Sequence, residues 1–311
     1  VTHHLLPPLF VALFVGLVCP GLLARAGWAH RAPRLTAAVW GGLLAVFTVA
    51  VEMALLGLLL PEDALHRMPG VLLGCLSGQE ACDLPGPLEL GARSPARLAS
   101  AALGAAALAV PPLVLGRELH AARRERARHA RGLRLIGRRD TRLRATVVDH
   151  EVPAVYCLPG RAARIVVTTG AIDALTGPQL DAALRHEQAH ITGRHHVFVG
   201  AADAFGRLFR GLPLARRARA EVPLLLEMSA DDQALRHCSR HALATALYSM
   251  ATARPAPRAV FAAGGPSAAV RIERILNRRW TVRPVLQGMA TVGATACAVL
   301  PLATLCCFLL S

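Results

Sequence analysis

The chain has no lysine: all 35 of its basic residues are arginine. That bias points to a GC-rich genome rather than to a functional choice. Aromatic residues are scarce, at 4%. None interleaves with the densest arginine run, as bases stacking on a nucleic-acid surface would require, so no direct nucleic-acid partner is expected. None of the eight cysteines forms a C-x-x-C pair, which leaves no thiolate metal motif. Charge is missing from four apolar stretches, 5–23, 35–60, 98–115 and 285–310, where Glu52 is the one charged residue. Positive charge is also missing ahead of the first stretch. Only His3 and His4 precede it, while Arg25, Arg31 and Arg34 follow. A cleavable signal peptide has the reverse order. Ala24-Arg25-Ala26 only faintly suggests a cleavage site, so this stretch is expected to be a retained helix with its N-terminus outside.

What is present looks contradictory for a soluble protein. The chain is 54% hydrophobic with a mean hydropathy of +0.42, yet its formal charge is +15. Both fit a membrane protein with basic flanks. Each of the four stretches is near the roughly 20 residues that cross a bilayer. The basic loop 24–34 is expected inside. The loop 61–97, with Glu62, Asp63, Glu80, Asp83 and Glu89 against three arginines, is expected outside. A dense arginine run then follows the third stretch, from Arg117 to Arg139, and Arg271, Arg274, Arg278, Arg279 and Arg283 precede the fourth. These assignments alternate without conflict. They predict a mostly α, multi-pass plasma-membrane protein with both termini outside. Residues 1–116 carry three spans, 117–284 form a cytoplasmic domain touching lipid headgroups, and 285–311 form the fourth span. Cys75 and Cys82 share the external loop, where a disulfide is permitted. Cys157 and Cys238 are expected reduced, as core residues.

Within the cytoplasmic segment, His186-Glu187-Gln188-Ala189-His190 reads H-E-x-x-H. Thr176-Gly177-Pro178-Gln179 is a capping box with proline in the first turn, so a helix starts there. Leu180, Ala183 and Leu184 give it an apolar face, and Gly193 is a plausible stop. Residues four apart on a helix lie on one face, so His186 and His190 can grip one Zn2+ ion. Glu187 then stands beside the open coordination position, placed to take a proton from water and pass it to a leaving amine.

A catalytic zinc needs a third protein ligand. His196 completes the longer pattern H-E-x-x-H-x-x-G-x-x-H. Glu227 is the preferred ligand, because 197–202 continues as an apolar run rather than turning into a loop. Glu227 also lies among Leu224, Leu225, Leu226 and Met228, on one helical face with Asp231. Asp231 would accept a hydrogen bond from a ligand histidine and fix its tautomer. His195, Arg236 and His237 are candidates for steadying an oxyanion. Ahead of the zinc helix, 146–149, 154–158 and 164–168 read as short strands. Residues 165–167 are the candidate edge for an extended substrate.

The pattern AVYCLPG…RIVVTTGAIDAL…LDAALRHEQAH…EMSADDQAL…RIERIL resembles the cytoplasmic peptidase domain of the BlaR/MecR membrane metallopeptidases. It is more distantly similar to HtpX and the C-a-a-X prenyl proteases. The resemblance covers about 117–284. It implies an α+β gluzincin-like fold with zinc on His186, His190 and Glu227, and Glu187 as base. It also implies hydrolysis of a peptide bond in a cytoplasmic protein, such as a winged-helix transcriptional repressor. The external penicillin-binding domain of the antibiotic sensors has no counterpart after the fourth stretch, so their β-lactam sensing does not carry over. The alternatives are an HtpX-like quality-control protease and a non-catalytic signalling scaffold. The intact Glu187 argues against the scaffold.

Overall fold

The structure, a computed structural model, describes residues 2–59, 95–160, 163–252 and 266–277. The fourth apolar stretch, nearly all of the loop 61–97 and Cys75, Cys82, Cys297, Cys306 and Cys307 lie outside the described residues.

The first apolar stretch forms α1 (Thr2–Leu13), a π-helical turn (Phe14–Val18) and α2 (Cys19–Arg25). Cys19 N–H donates five residues back, to Phe14 O. Pro20 follows at once and has no N–H to give, so the widened turn sits where the regular ladder is broken. The second stretch is α3 (Pro33–Leu59). At 1.5 Å per residue it is about 40 Å long, more than the roughly 30 Å hydrocarbon core. The third stretch continues without a break into the arginine run as α4 (Pro95–Ile136). Its 42 residues amount to about 63 Å, so the arginine half extends well beyond a bilayer's width. Three helical segments, Leu5–Arg25, Pro33–Leu59 and Ala102–Leu133, are long and apolar enough to cross a membrane. Found among the described residues, they suggest membrane association.

Four strands follow: β1 (Gly137–Asp140), β2 (Ala145–Val148), β3 (Val155–Leu158) and β4 (Arg164–Thr168). Their order in the sheet is β1-β2-β4-β3, with β2 and β4 parallel and the other pairs antiparallel. This corrects one expectation, because 165–167 is not an edge. Val166 and Val167 are fully buried between two neighbouring strands. The continuous apolar run of β4 is the signature of a strand covered on both faces. The free edge nearer the H-E-x-x-H helix belongs to β3.

The helices are α5 (Thr169–Ala174), α6 (Gly177–Thr192), α7 (His195–Leu208), α8 (Pro213–Ala234), α9 (Arg240–Thr252) and α10 (Pro266–Leu276). The capping box is present: Thr176 N–H donates to Gln179 Oε1 at 2.9 Å. Gln179 Nε2 donates onward to Thr245 Oγ1 at 3.1 Å, tying α6 to α9. Leu180 and Ala183 pack with Val167 and Cys157 beneath the sheet.

The apolar helices and the H-E-x-x-H region share one core. Ala12, Val15, Leu23, Trp40 and Phe47 pack with Ala202 and Phe205 of α7 and with Leu214, Ala218, Val222 and Leu225 of α8. Phe47 meets Phe205 and Phe209 edge-on, with ring centroids 5.5 and 5.0 Å apart. Among lipid tails, burying apolar surface gives little gain, and close approach between small residues decides packing. Ala202, Ala215 and Ala218 supply it. So does Gly16, where a Cβ would lie 2.7 Å from the Phe47 ring. Arg217 seals the junction by donating to Pro20 O at 2.8 Å.

Candidate metal centre and active site

The 3.6-residue repeat of α6 sets His186 and His190 on successive turns of one face. In the same way α8 sets Glu227 and Asp231. Where these faces meet, Nε2 of His186 lies 3.1 Å from Nε2 of His190. Glu227 bridges them, with Oε2 3.4 Å from His186 Nε2 and Oε1 3.3 Å from His190 Nε2. These ligand-type atoms form one compact group. Atoms bonded at 2.0–2.1 Å around a tetrahedral zinc stand about 3.3 Å apart, close to the 3.1 Å between the two imidazole nitrogens and to the distance from each nitrogen to a different oxygen of Glu227. Two imidazoles and one carboxylate are a donor set that catalytic zinc sites use.

Each ligand imidazole is held from behind. His186 Nδ1 lies 3.0 Å from Asp231 Oδ1, an ion-pair contact without good hydrogen-bond alignment. His190 Nδ1 lies 2.9 Å from His195 Nδ1, on a buried ring set edge-on to its own. A metal on His190 Nε2 would leave its Nδ1–H to donate to His195. Both rings are neutral for this, because burial pushes His190 down to about 3 and His195 to about 4. Burial also opposes charge on His186, but Asp231 and Glu227 outweigh it and raise this histidine to about 10.

Arg271 of α10 joins the cluster from a distant part of the chain. Its Nε and Nη2 donate to the two oxygens of Asp231 at 2.8 and 2.7 Å. Its Nη1 lies 2.6 Å from Glu227 Oε2, an ion pair without good hydrogen-bond alignment. Burial works to raise both carboxyls. The guanidinium outweighs it, bringing Glu227 down to about 2 and holding Asp231 well below the usual carboxylate range. Glu187 is the contrast. Burial pushes it up to about 7, against the pull of His186, and the Cys157 backbone and thiol hydrogen-bond to it. A carboxyl that titrates near neutrality is suited to accepting and returning a proton.

Residues 121–215 match the family model of peptidase family M48. This supports a metallopeptidase-type hydrolase. The family is zinc-dependent. The matched segment holds the sheet, the H-E-x-x-H helix and α7. Glu227, Asp231 and Arg271 lie beyond it. No curated protein and no solved structure matches the chain.

The structure thus brings His186, Glu187, His190, Glu227 and Asp231 together. It does not bring His196 to them, because that ring lies near Arg123 and Arg126 of α4. Arg236 lines a separate cleft of about 450 Å³ with Arg31 and Arg34, and His237 is exposed in the turn after α8. His195, one of the oxyanion candidates, instead supports His190. Arg271 was legible in the sequence only as one of several arginines flanking an apolar stretch.

Gly193 ends α6, as its position suggested, and does more. It caps α6 with an ordinary φ of −75°, and the left-handed residue is Arg194, at φ 49°. A Cβ on Gly193 would lie 2.4 Å from His195 Nε2. The glycine therefore makes room for the ring that supports His190.

Proposed function

We propose that this chain is a membrane-embedded zinc metalloendopeptidase of regulatory type, cutting a peptide bond in a cytoplasmic protein. The observation that carries the reading is the convergence of His186, His190 and Glu227 into one group of ligand atoms with the buried Glu187 beside them. One Zn2+ bound there supplies a Lewis acid that polarises the scissile carbonyl and lowers the pKa of water towards about 7.

The remaining chemistry belongs to the chain. Glu187 takes the proton of the attacking water and returns it to the departing amine. The Cys157 hydrogen bonds hold its carboxylate in place. Asp231 and His195 fix the tautomers of the two imidazoles. Thr168 N–H donates to Ala154 O, so in the alternating antiparallel ladder the backbone groups of Val155 and Cys157 face away from β4. An extended substrate adding itself to β3 would pair with the backbone of Val155 and the carbonyl of Cys157, whose N–H is engaged by Glu187, and pass that carboxylate. Pairing through backbone makes recognition tolerant of side chains.

Arginine-rich flanks orient the site to the cytoplasm, with four spans and both termini outside. The resemblance to BlaR/MecR proteins supports a transcriptional repressor as the substrate. A second reading, quality control of membrane proteins, draws on the core that α7 and α8 share with the apolar helices, which sets the site against the bilayer. Trapping with the Glu187→Gln protein separates the two. That variant is expected to keep zinc, lose cleavage and retain its substrate for mass spectrometry. A captured cytoplasmic regulator supports the first reading, and captured membrane proteins the second. Retained turnover in the purified variant refutes the role of Glu187.

A further inference from the structure

Arg271 is fully buried, yet arginine is among the residues least often buried unless it is paired. Its partners are specific. One guanidinium reaches both oxygens of Asp231, Oε2 of Glu227 and, at 3.4 Å, Nε2 of His186. It therefore touches one ligand carboxylate, the carboxylate beside a ligand imidazole and, on that imidazole, the nitrogen a metal would take, a contact that metal binding replaces. Only a planar fork with five N–H donors spans three such groups; a lysine ammonium is a single point. The partners lie on two other helices, α6 and α8, and α10 closes over both.

Charge gives a second reason. The buried cluster holds three carboxyls, on Glu187, Glu227 and Asp231, against one guanidinium. When all three are ionised, the deficit is two negative charges, which one divalent cation cancels. Without the guanidinium the loaded site would keep a net negative charge away from water, which is costly.

We propose that Arg271 is a positioning residue of the metal centre, holding Glu227 by Oε2 in a single orientation and balancing the third carboxylate of the cluster. It rests on the metallopeptidase reading, and it adds a fixed component from outside the matched family segment and outside the ligand set. Because Oε2 is engaged by the guanidinium, Oε1 remains the oxygen available opposite His190. Asp231, gripped on both oxygens, cannot swing away from His186.

The test compares the wild-type protein with Arg271→Lys in detergent. Zinc affinity is measured by chelator competition, and ligand geometry by the visible spectrum of the Co2+-substituted protein. Lysine keeps the positive charge but cannot bridge the three groups. The expected result is one zinc per chain in both proteins, bound about 10–100-fold more weakly by Arg271→Lys, the loss typical when support behind a ligand is removed. An altered Co2+ spectrum should accompany it, which a merely structural strut would not produce. Wild-type affinity with an unchanged spectrum overturns the proposal. Should Arg271→Lys fail to fold, Arg271→Gln is placed in the Asp231→Asn background, which removes both members of the buried pair. Weaker zinc binding than Asp231→Asn alone is expected there, and equal binding overturns the proposal. A wild-type protein that takes up no zinc refutes the metallopeptidase reading itself, a different outcome from either of these.

Discussion

Replacing Gly193 with alanine sets two effects of opposite sign against each other. The backbone there is ordinary helix-end geometry, φ −75° and ψ −6°. At such a position Gly→Ala usually stabilises by about 0.4–1 kcal/mol, because the unfolded chain loses freedom. Here the new Cβ would lie 2.4 Å from His195 Nε2, 2.6 Å from its Cδ2 and 3.1 Å from Ala189 O. An ordinary contact begins near 3.4 Å, so the imidazole must retreat by about 1 Å. That retreat breaks the 2.9 Å contact between His195 Nδ1 and His190 Nδ1. Losing the group behind a ligand histidine weakens metal binding about 10–100-fold, or about 1.4–2.8 kcal/mol. The first effect acts on folding and leaves zinc affinity alone, so Gly193→Ala is expected to bind zinc at least about tenfold more weakly. Chelator competition on the purified protein measures it. A double-mutant cycle with His195→Ala locates the cause, since Gly193→Ala should add no further loss once the imidazole is gone. Zinc affinity within twofold of wild type would refute the reasoning, as would an undiminished effect in the His195→Ala background.

Other expectations follow from the same geometry. Asp231→Asn is expected to cost about 3–5 kcal/mol of stability by breaking a buried pair with Arg271, and to weaken zinc binding about 10–100-fold; thermal melting and metal titration read the two effects separately. Glu227→Ala should empty most of the zinc site while His196→Ala leaves it loaded, as metal analysis would show; the reverse would favour the longer H-E-x-x-H pattern. The zinc-stripped protein should melt highest near pH 6.5. Glu227 falls from 4.5 to about 2 on folding, so its contribution is complete above 4.5 and lost as pH drops towards 2. On the alkaline side, His186 rises from 6.5 to about 10, so its contribution is complete below 6.5 and lost as pH climbs to 10. Glu187, raised to about 7, costs stability as it ionises between 4.5 and 7, but His190 and His195, lowered to about 3 and 4, together outweigh it, gaining stability until the unfolded imidazoles lose their protons near 6.5. A melting temperature that keeps rising through pH 9 without zinc would contradict this. Zinc at a hundred times its dissociation constant should add about 2.7 kcal/mol, seen as a higher melting temperature that a chelator reverses.

Local patterns carried much of this architecture. The capping box and the i, i+4 histidines are events within one helix, and the structure places them where the spacing put them. Glu227 with Asp231 was legible because a carboxylate inside Leu224, Leu225, Leu226 and Met228 is hard to explain otherwise. What failed to show depends on contacts between distant segments. Arg271 pairs with residues 40 and 85 positions away, and in sequence it is one arginine among many before an apolar stretch. His195 and His196 are adjacent, and only the left-handed turn at Arg194 decides which ring enters the site. β1 was missed because Arg138 and Arg139 are exposed and extend a basic run, with no apolar alternation to mark a strand. The edge was misassigned because three consecutive valines and isoleucines say that a strand is buried, not where it lies in the sheet.

One consequence concerns α8. It runs unbroken from Pro213, deep among the N-terminal apolar helices, to Asp231 at the metal centre. A polypeptide beginning after residue 116 would leave Phe205, Leu214, Val222 and Leu225 bare to water. It would also remove the lateral grip that aims Glu227. Excising the hydrolase from its anchor should therefore yield aggregates rather than a soluble enzyme, and any tilt of the anchor would be transmitted along a stiff rod to a zinc ligand.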